Sequence, residues 1–179
     1  MDDISFYYFA YGSNLPFQRM LKRTSNNIQR KGKFAWEGRR LGFSKKSSDG
    51  SGKCTAIATS NEHVVWGAIY HVTHEDKAKL IQCEIGYHEV PLRFPVDGEL
   101  KLGFTFVANP DQIDNWLRPY TWYKRYVLAG AREHDFPQCY IADIEAVQAR
   151  PDPKPSRNAQ HEPLLSQLES TLKVRPTPP

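Results

Sequence analysis

Cysteine is scarce in this chain and poorly placed for cross-linking. Cys54, Cys83 and Cys139 are odd in number, far apart and without a Cys-x-x-Cys pair, which argues against a disulfide framework and a zinc knuckle. No run of about 20 apolar residues occurs, so no membrane partner is expected. The opening Met1-Asp2-Asp3 is acidic where a secretory leader is basic and then apolar, which gives a cytoplasmic expectation. His71 and His74 straddle a strand-to-helix junction with no carboxylate or third histidine at ligand spacing, so no metal is expected.

What is present is ordinary for a globular protein. The 179 residues are 40% hydrophobic and 25% charged, a length and balance that point to one domain with a real core. The net charge of +4 is unevenly spread: between Arg19 and Lys46, ten lysines and arginines meet one acid, Glu37. Such a stretch is a solvated face, a nucleic-acid surface built with Phe34, Trp36 and Phe43, or a means of steering a small acid. The solvated face is the plainest of the three, and no nucleic-acid partner is expected.

Periodicity predicts a strand over Ser5–Ala10 and a helix from Leu15 to Arg23. Strands at Thr55–Thr59 and His63–Val72, joined through Ser60-Asn61-Glu62, read as a hairpin. Ser44–Gly52 has the composition of a flexible loop. Thr73 with Asp76 three residues on makes an approximate capping box for a helix whose apolar side is Ala78, Leu80 and Ile81, ending near Glu84. Tyr87–Phe94 and Glu99–Val107 flank a Val96-Asp97-Gly98 turn, and Thr121–Glu133 and Pro137–Ala149 read as helices. From Arg150 the prolines at 151, 153, 155, 176, 178 and 179 predict a tail over 151–179. It contains one amphipathic segment, Glu162–Lys173, able to dock on the domain or on a partner.

The most informative stretch is Tyr8-Phe9-Ala10-Tyr11-Gly12-Ser13-Asn14-Leu15. An aromatic strand stops at Gly-Ser-Asn and a helical pattern follows at once. Gly12 permits close approach of a ligand to the backbone, Ser13 or Asn14 can cap the helix, and Pro16 is tolerated in its first turn. Unpaired amides at such a helix start suit a carboxylate or a carbonyl oxygen.

The string Phe9–Leu15 resembles the signature of the gamma-glutamylcyclotransferase-like family, and further matches follow in order. Val65-Trp66-Gly67-Ala68-Ile69-Tyr70 resembles a core strand of that family, Glu84 falls where its catalytic glutamate is expected, and Tyr123 precedes Gly130-Ala131, Pro137 and Tyr140. The resemblance spans roughly residues 6–155. It implies a mixed α+β domain over 1–150, with a small, curved, barrel-like sheet surrounded by helices. It also implies a cofactor-free release of 5-oxoproline from a small γ-glutamyl compound, with Glu84 as general acid/base. Tyr11, Gly12, Ser13, Asn14, Leu15 and Tyr123 would bind the substrate.

Alternatives stand beside these assignments. Glu84-Ile85-Gly86-Tyr87-His88-Glu89 is more compact than in many relatives, which makes Glu89 a second candidate for the catalytic carboxylate. Tyr123 also fits a core aromatic, and Tyr11 a wall of the first strand. A thiol hydrolase using Cys83 with His88 as base lacks a family signature around the cysteine. The competing class is a non-catalytic module that binds anions or nucleic acid through the basic stretch.

Overall fold

A computed structural model describes residues 5–25, 27–60 and 62–174. Its framework is one long two-stranded ribbon. β2 (Gln29–Glu37) and β3 (Arg39–Lys46) run nearly end to end through Gly38, and the chain returns as β4 (Gly52–Ala58) and β5 (Val64–Thr73). Pairing runs from Lys46 opposite Gly52 to Arg39 opposite Ala58, then from Glu37 opposite Val64 to Gln29 opposite His71. The ribbon bends at Gly38, whose φ of 69° lies in the left-handed region. There its N–H donates to the His63 carbonyl and its own carbonyl accepts from Thr59 N–H.

The bend divides the ribbon between two sheets: β3 and β4 stand alone, while β2 and β5 join a five-stranded sheet of order β2-β5-β1-β7-β6. β1 (Ser5–Ala10) lies antiparallel to β5 and parallel to β7 (Glu99–Ala108), and β7 forms a hairpin with β6 (Tyr87–Val96). That hairpin closes through Asp97 and Gly98, both at positive φ (52° and 81°), the conformation a two-residue turn with right-handed strand twist requires. The hairpin expected between 55–59 and 63–72 does not form. β4 pairs with β3, and β5 lies between β2 and β1.

The concave face of the sheet holds an aromatic core. The Phe9 ring meets Phe34, Trp36, Phe94 and Tyr11 with centroids 5.9–6.4 Å apart, edge-to-face and tilted arrangements that suit ring quadrupoles. Helices cover the rest: α1 (Phe17–Arg23), α2 (His74–Cys83), α3 (Thr121–Glu133), α4 (Gln138–Ala146) and α5 (Pro155–Val174). The result is the mixed α+β single domain with a curled sheet that the sequence implies.

α2 starts with a true capping box, Thr73 Oγ1 accepting from Asp76 N–H while the Asp76 carboxylate accepts from Thr73 N–H. Of its expected apolar side only Leu80 is buried; Ala78 and Ile81 face outward.

The tail reading of 151–179 needs correction, because residues 155–174 form a helix. Pro155 occupies its first turn, where a missing N–H has no intrahelical partner, and Pro163 is accommodated inside it. Leu164, Leu165 and Leu168 are buried, and Arg125 of α3 clamps Glu162 and Glu169 at 2.7–3.0 Å. The amphipathic segment is therefore docked on its own domain. Pro176, Pro178 and Pro179 lie outside the described residues. Among the described residues no helix is long and apolar enough to cross a membrane.

Candidate active site

The end of β1, the end of α2, the β3–β4 ribbon and α3 enclose a cleft of about 510 Å³. Tyr11, Gly12, Ser13, Asn14, Glu84 and Tyr123 all line it. Leu15 does not. Its side chain is fully buried, and its carbonyl accepts from the Tyr70 hydroxyl and lies 3.0 Å from His134 Nε2. It anchors the turn from behind.

The turn is closed by Leu15 N–H donating to the Gly12 carbonyl at 3.0 Å. Neither Ser13 nor Asn14 caps α1. Pro16 takes the cap position without a side-chain bond, and the first helical amide, Phe17 N–H, donates to the Glu133 carboxylate at 3.2 Å. The helix start is thus closed by α3 rather than open to a ligand. Among the described residues, no protein acceptor meets the N–H groups of Gly12, Ser13 and Asn14, so donors are left where the turn borders the cleft. Gly12 sits in a crowded place: a Cβ there would stand 3.0 Å from Cys54 Cβ and 3.3 Å from the Tyr123 hydroxyl.

Glu84 is the C-cap of α2, its N–H donating to Ile81 O and its carbonyl accepting from Tyr87 N–H. This short turn aims a partly buried side chain back at the first strand. Asn14 Nδ2 donates to Glu84 Oε1 at 3.1 Å and to the Tyr8 hydroxyl at 3.1 Å, and Arg23 Nη1 donates to Asn14 Oδ1 at 2.8 Å. Burial raises the Glu84 carboxyl above the usual carboxylate range against the opposing pull of Arg23, Asn14, Lys45 and Arg19. Ile81 and Ile85 do not supply that burial, being 50% and 80% exposed. The apolar surroundings are the aromatic walls Tyr8, Tyr11, Tyr87, Phe106 and Tyr123. Glu89 is outside the cleft, exposed and paired with Lys77 at 2.8 Å.

The walls are tied to backbone. Tyr11 and Tyr87 hydroxyls donate to the carbonyls of Phe106 and Cys54, and the Tyr123 hydroxyl accepts from Cys54 N–H at 3.0 Å. Tyr123 is a buried core aromatic whose phenol borders the cleft. Burial pushes the Cys54 thiol up to about 12, which leaves it a neutral packing group. Cys83 lies at the cleft edge, but among the described residues no hydrogen bond joins it to His88, whose Nδ1 is 2.9 Å from Asn109 Oδ1.

Sequence reasoning left the cations of the cleft undistinguished from those of a solvated basic face. Ser44–Gly52 is not a flexible loop: Ser44–Lys46 complete β3, and Asp49 braces the turn by accepting from Ser51 N–H, Ser51 Oγ and Lys53 Nζ at 2.7–2.9 Å. Burial disfavours the Asp49 carboxylate, but these bonds prevail and hold it at about 2. Lys45, Lys46 and Lys53 therefore reach the cleft from the ribbon, and Lys45 Nζ donates to the Ile85 carbonyl at 2.6 Å. The basic stretch is not one face. Arg19 is buried with its guanidinium 3.8 Å from the Tyr126 ring centre, Arg23 turns to the cleft, and Arg30 pairs with Glu133. Among the described residues, no group of three or more His, Cys, Asp or Glu side chains is placed to hold a metal ion.

The α+β half-barrel is a known architecture. No protein-family model matches the sequence, and no curated protein matches it. Solved structures do. A gamma-glutamyl cyclotransferase superposes with a TM-score of 0.74 at 18% identity, over 92% of this chain and 99% of that one. An uncharacterised protein from Homo sapiens gives 0.74 at 20% identity, over 90% and 98%. YkqA from Bacillus subtilis gives 0.66 at 18% identity, over 81% of this chain and 56% of that one. The chain has the gamma-glutamyl cyclotransferase fold.

Proposed function

We propose that the protein is a gamma-glutamyl cyclotransferase that releases 5-oxoproline from a small γ-glutamyl compound. One observation carries the reading. In the fold of a cyclotransferase, Glu84, the one carboxylate lining the cleft among the described residues, faces the Gly12-Ser13-Asn14 turn.

The chemistry needs no protein nucleophile, because the substrate's α-amine attacks its own γ-carbonyl. Holding the two in near-attack geometry is worth on the order of 7–11 kcal/mol. The ammonium must first lose a proton and the departing amine must gain one. Glu84 accepts the first proton and delivers it to the leaving nitrogen as the γ-carbon to nitrogen bond breaks. Its raised carboxyl narrows the gap to the amine it serves. The turn amides and the cations of the cleft receive the substrate carboxylate and the developing oxyanion. Tyr123 and Tyr11 bound the pocket as neutral phenols.

The test is a panel of glutathione, γ-glutamyl amino acids, γ-glutamylamines and an acyl-carrier-linked γ-glutamyl group, with 5-oxoproline as the readout. Release from at least one, abolished in Glu84→Gln, supports the reading; none from any member overturns it.

A further inference from the structure

We propose that Arg23 is a positioning residue that fixes the side-chain amide of Asn14 and so decides which oxygen of Glu84 carries the proton. This rests on the cyclotransferase reading of the site.

The Asn14 amide is polar in a fixed sense. Its nitrogen has two hydrogens, one donated to Glu84 Oε1 and one to the Tyr8 hydroxyl, and its oxygen accepts from Arg23. Rotating the amide by half a turn would set NH₂ against guanidinium and oxygen against carboxylate, reversing two favourable contacts at once. Arg23 is the donor to Asn14 Oδ1 among the described residues, so with the Glu84 carboxylate at the other end it holds the observed orientation. Its place is set by the helix: it ends α1, where a cation complements the exposed carbonyls, one turn beyond the buried Arg19. In the observed orientation Oε1 is engaged by Asn14, while no group among the described residues donates to Oε2. Oε2 is the atom left to take the proton from the substrate ammonium and return it to the leaving amine.

Arg23 also acts by charge. The groups facing Glu84 are Tyr8 and Tyr11 from β1 and the turn, Arg19 and Arg23 from α1, Lys45 from β3, Cys54 from β4, Cys83 from α2, Tyr87 from β6 and Tyr123 from α3. Of the cations, Arg23 pulls hardest against burial. Without it the carboxyl rises further and less of it is ionised to accept a proton.

The experiment compares wild type, Arg23→Met and Arg23→Lys. One readout needs no substrate: titration of the Glu84 carboxyl by carbon NMR in the free protein, assigned with Glu84→Gln. The other is the pH profile of kcat and kcat/KM for whichever γ-glutamyl compound is turned over. Arg23→Met is expected to titrate at higher pH, to move the acidic limb of kcat/KM upward, and to lower kcat about ten- to a hundredfold, a part of what a general acid/base contributes. Arg23→Lys keeps the charge but not the planar donor, so it should restore the limb and leave kcat low. Unchanged titration in Arg23→Met, or full recovery of kcat in Arg23→Lys, overturns the proposal. If no substrate reacts, the cyclotransferase reading fails by itself, and the titration still judges Arg23.

Discussion

A Cβ on Gly130 would stand 2.2 Å from the Cβ of Leu15 and 2.9 Å from the Pro16 ring, so α3 presses its backbone directly onto the site turn. Glu133, one turn further along the same helix, takes the Phe17 amide. The position of Gly12, Ser13 and Asn14 is therefore set by α3 as much as by β1. Gly130→Ala should cost about 1–3 kcal/mol through overpacking, and because the displaced atoms belong to the turn, catalysis should fall at temperatures where the fold is intact. Urea denaturation beside the 5-oxoproline assay checks this. An unchanged midpoint with full activity would show that the two elements are not in tight contact.

Glu84→Gln should lose about 10²–10⁴-fold in turnover, the usual contribution of a general acid/base, and Glu89→Gln should stay within a few-fold of wild type. The stability effect has the opposite sense. Burial raises the folded-state carboxyl above its unfolded value, so its contribution to stability is full below the ordinary carboxylate range and is lost as pH rises through the raised value. Once ionised, the group works against folding. Glu84→Gln should therefore melt at or above the wild-type temperature while being inactive, and a lower melting temperature would contradict the burial argument.

Local signals made much of the fold legible. Alternation gave β1, the Thr73/Asp76 pair gave the start of α2, Asp97-Gly98 gave the β6–β7 hairpin, and helical spacing gave α3 with its ends. The strands β2 and β3 stayed hidden because β2 is a sheet edge whose Arg30, Lys31 and Lys33 read as a charged surface, a pattern that edges use to discourage further pairing. The β4 partner depends on a bend at Gly38 more than a dozen residues away, which no local pattern encodes. α5 was masked by prolines that read as breakers although Pro155 begins it. At the site, the turn was visible because it ends a strand, and Glu84 only through its place in the family resemblance. Arg23, Lys45 and Lys53 were not, since only packing separates a cleft cation from a solvated one.

Asp49 should stabilise the ribbon in a pH-dependent way. Its folded-state value of about 2 against 3.8 unfolded corresponds to on the order of 2 kcal/mol. Because the folded value is depressed, that contribution is present above the unfolded value and lost as pH falls through about 2. Asp49→Asn should be less stable than wild type at pH 7, with the gap closing in acid. A gap that persists at pH 2 would assign the loss to hydrogen bonding alone.

The dispersal of the basic stretch predicts weak nucleic-acid binding. Each phosphate neutralised would contribute a log–log salt slope of roughly −0.7 to −0.9, and such contacts need cations on one face. Titration with labelled oligonucleotides at low and physiological salt should show no submicromolar complex. Finding one, together with no 5-oxoproline from any substrate, would favour the binding module.

Helix α5 decides whether residues beyond Arg150 can be separated from the domain. Leu165 is fully buried, and the partners of the helix lie on α3, the element that also presses on the site turn. Leu165→Ala should cost about 2–5 kcal/mol, the range for emptying a buried leucine site. Arg125→Gln should cost less, because a partly exposed ion pair is screened by solvent. Removing residues 155–179 would uncover apolar surface on α3, including Trp122, whose ring stacks on His161 at 3.8 Å between centroids. The truncated protein should unfold at lower urea and bind a hydrophobic dye, and α3 should lose protection from hydrogen exchange before β6 and β7 do. If the truncated chain instead melts with wild-type stability and full activity, α5 is an accessory, and the domain ends where the prolines begin.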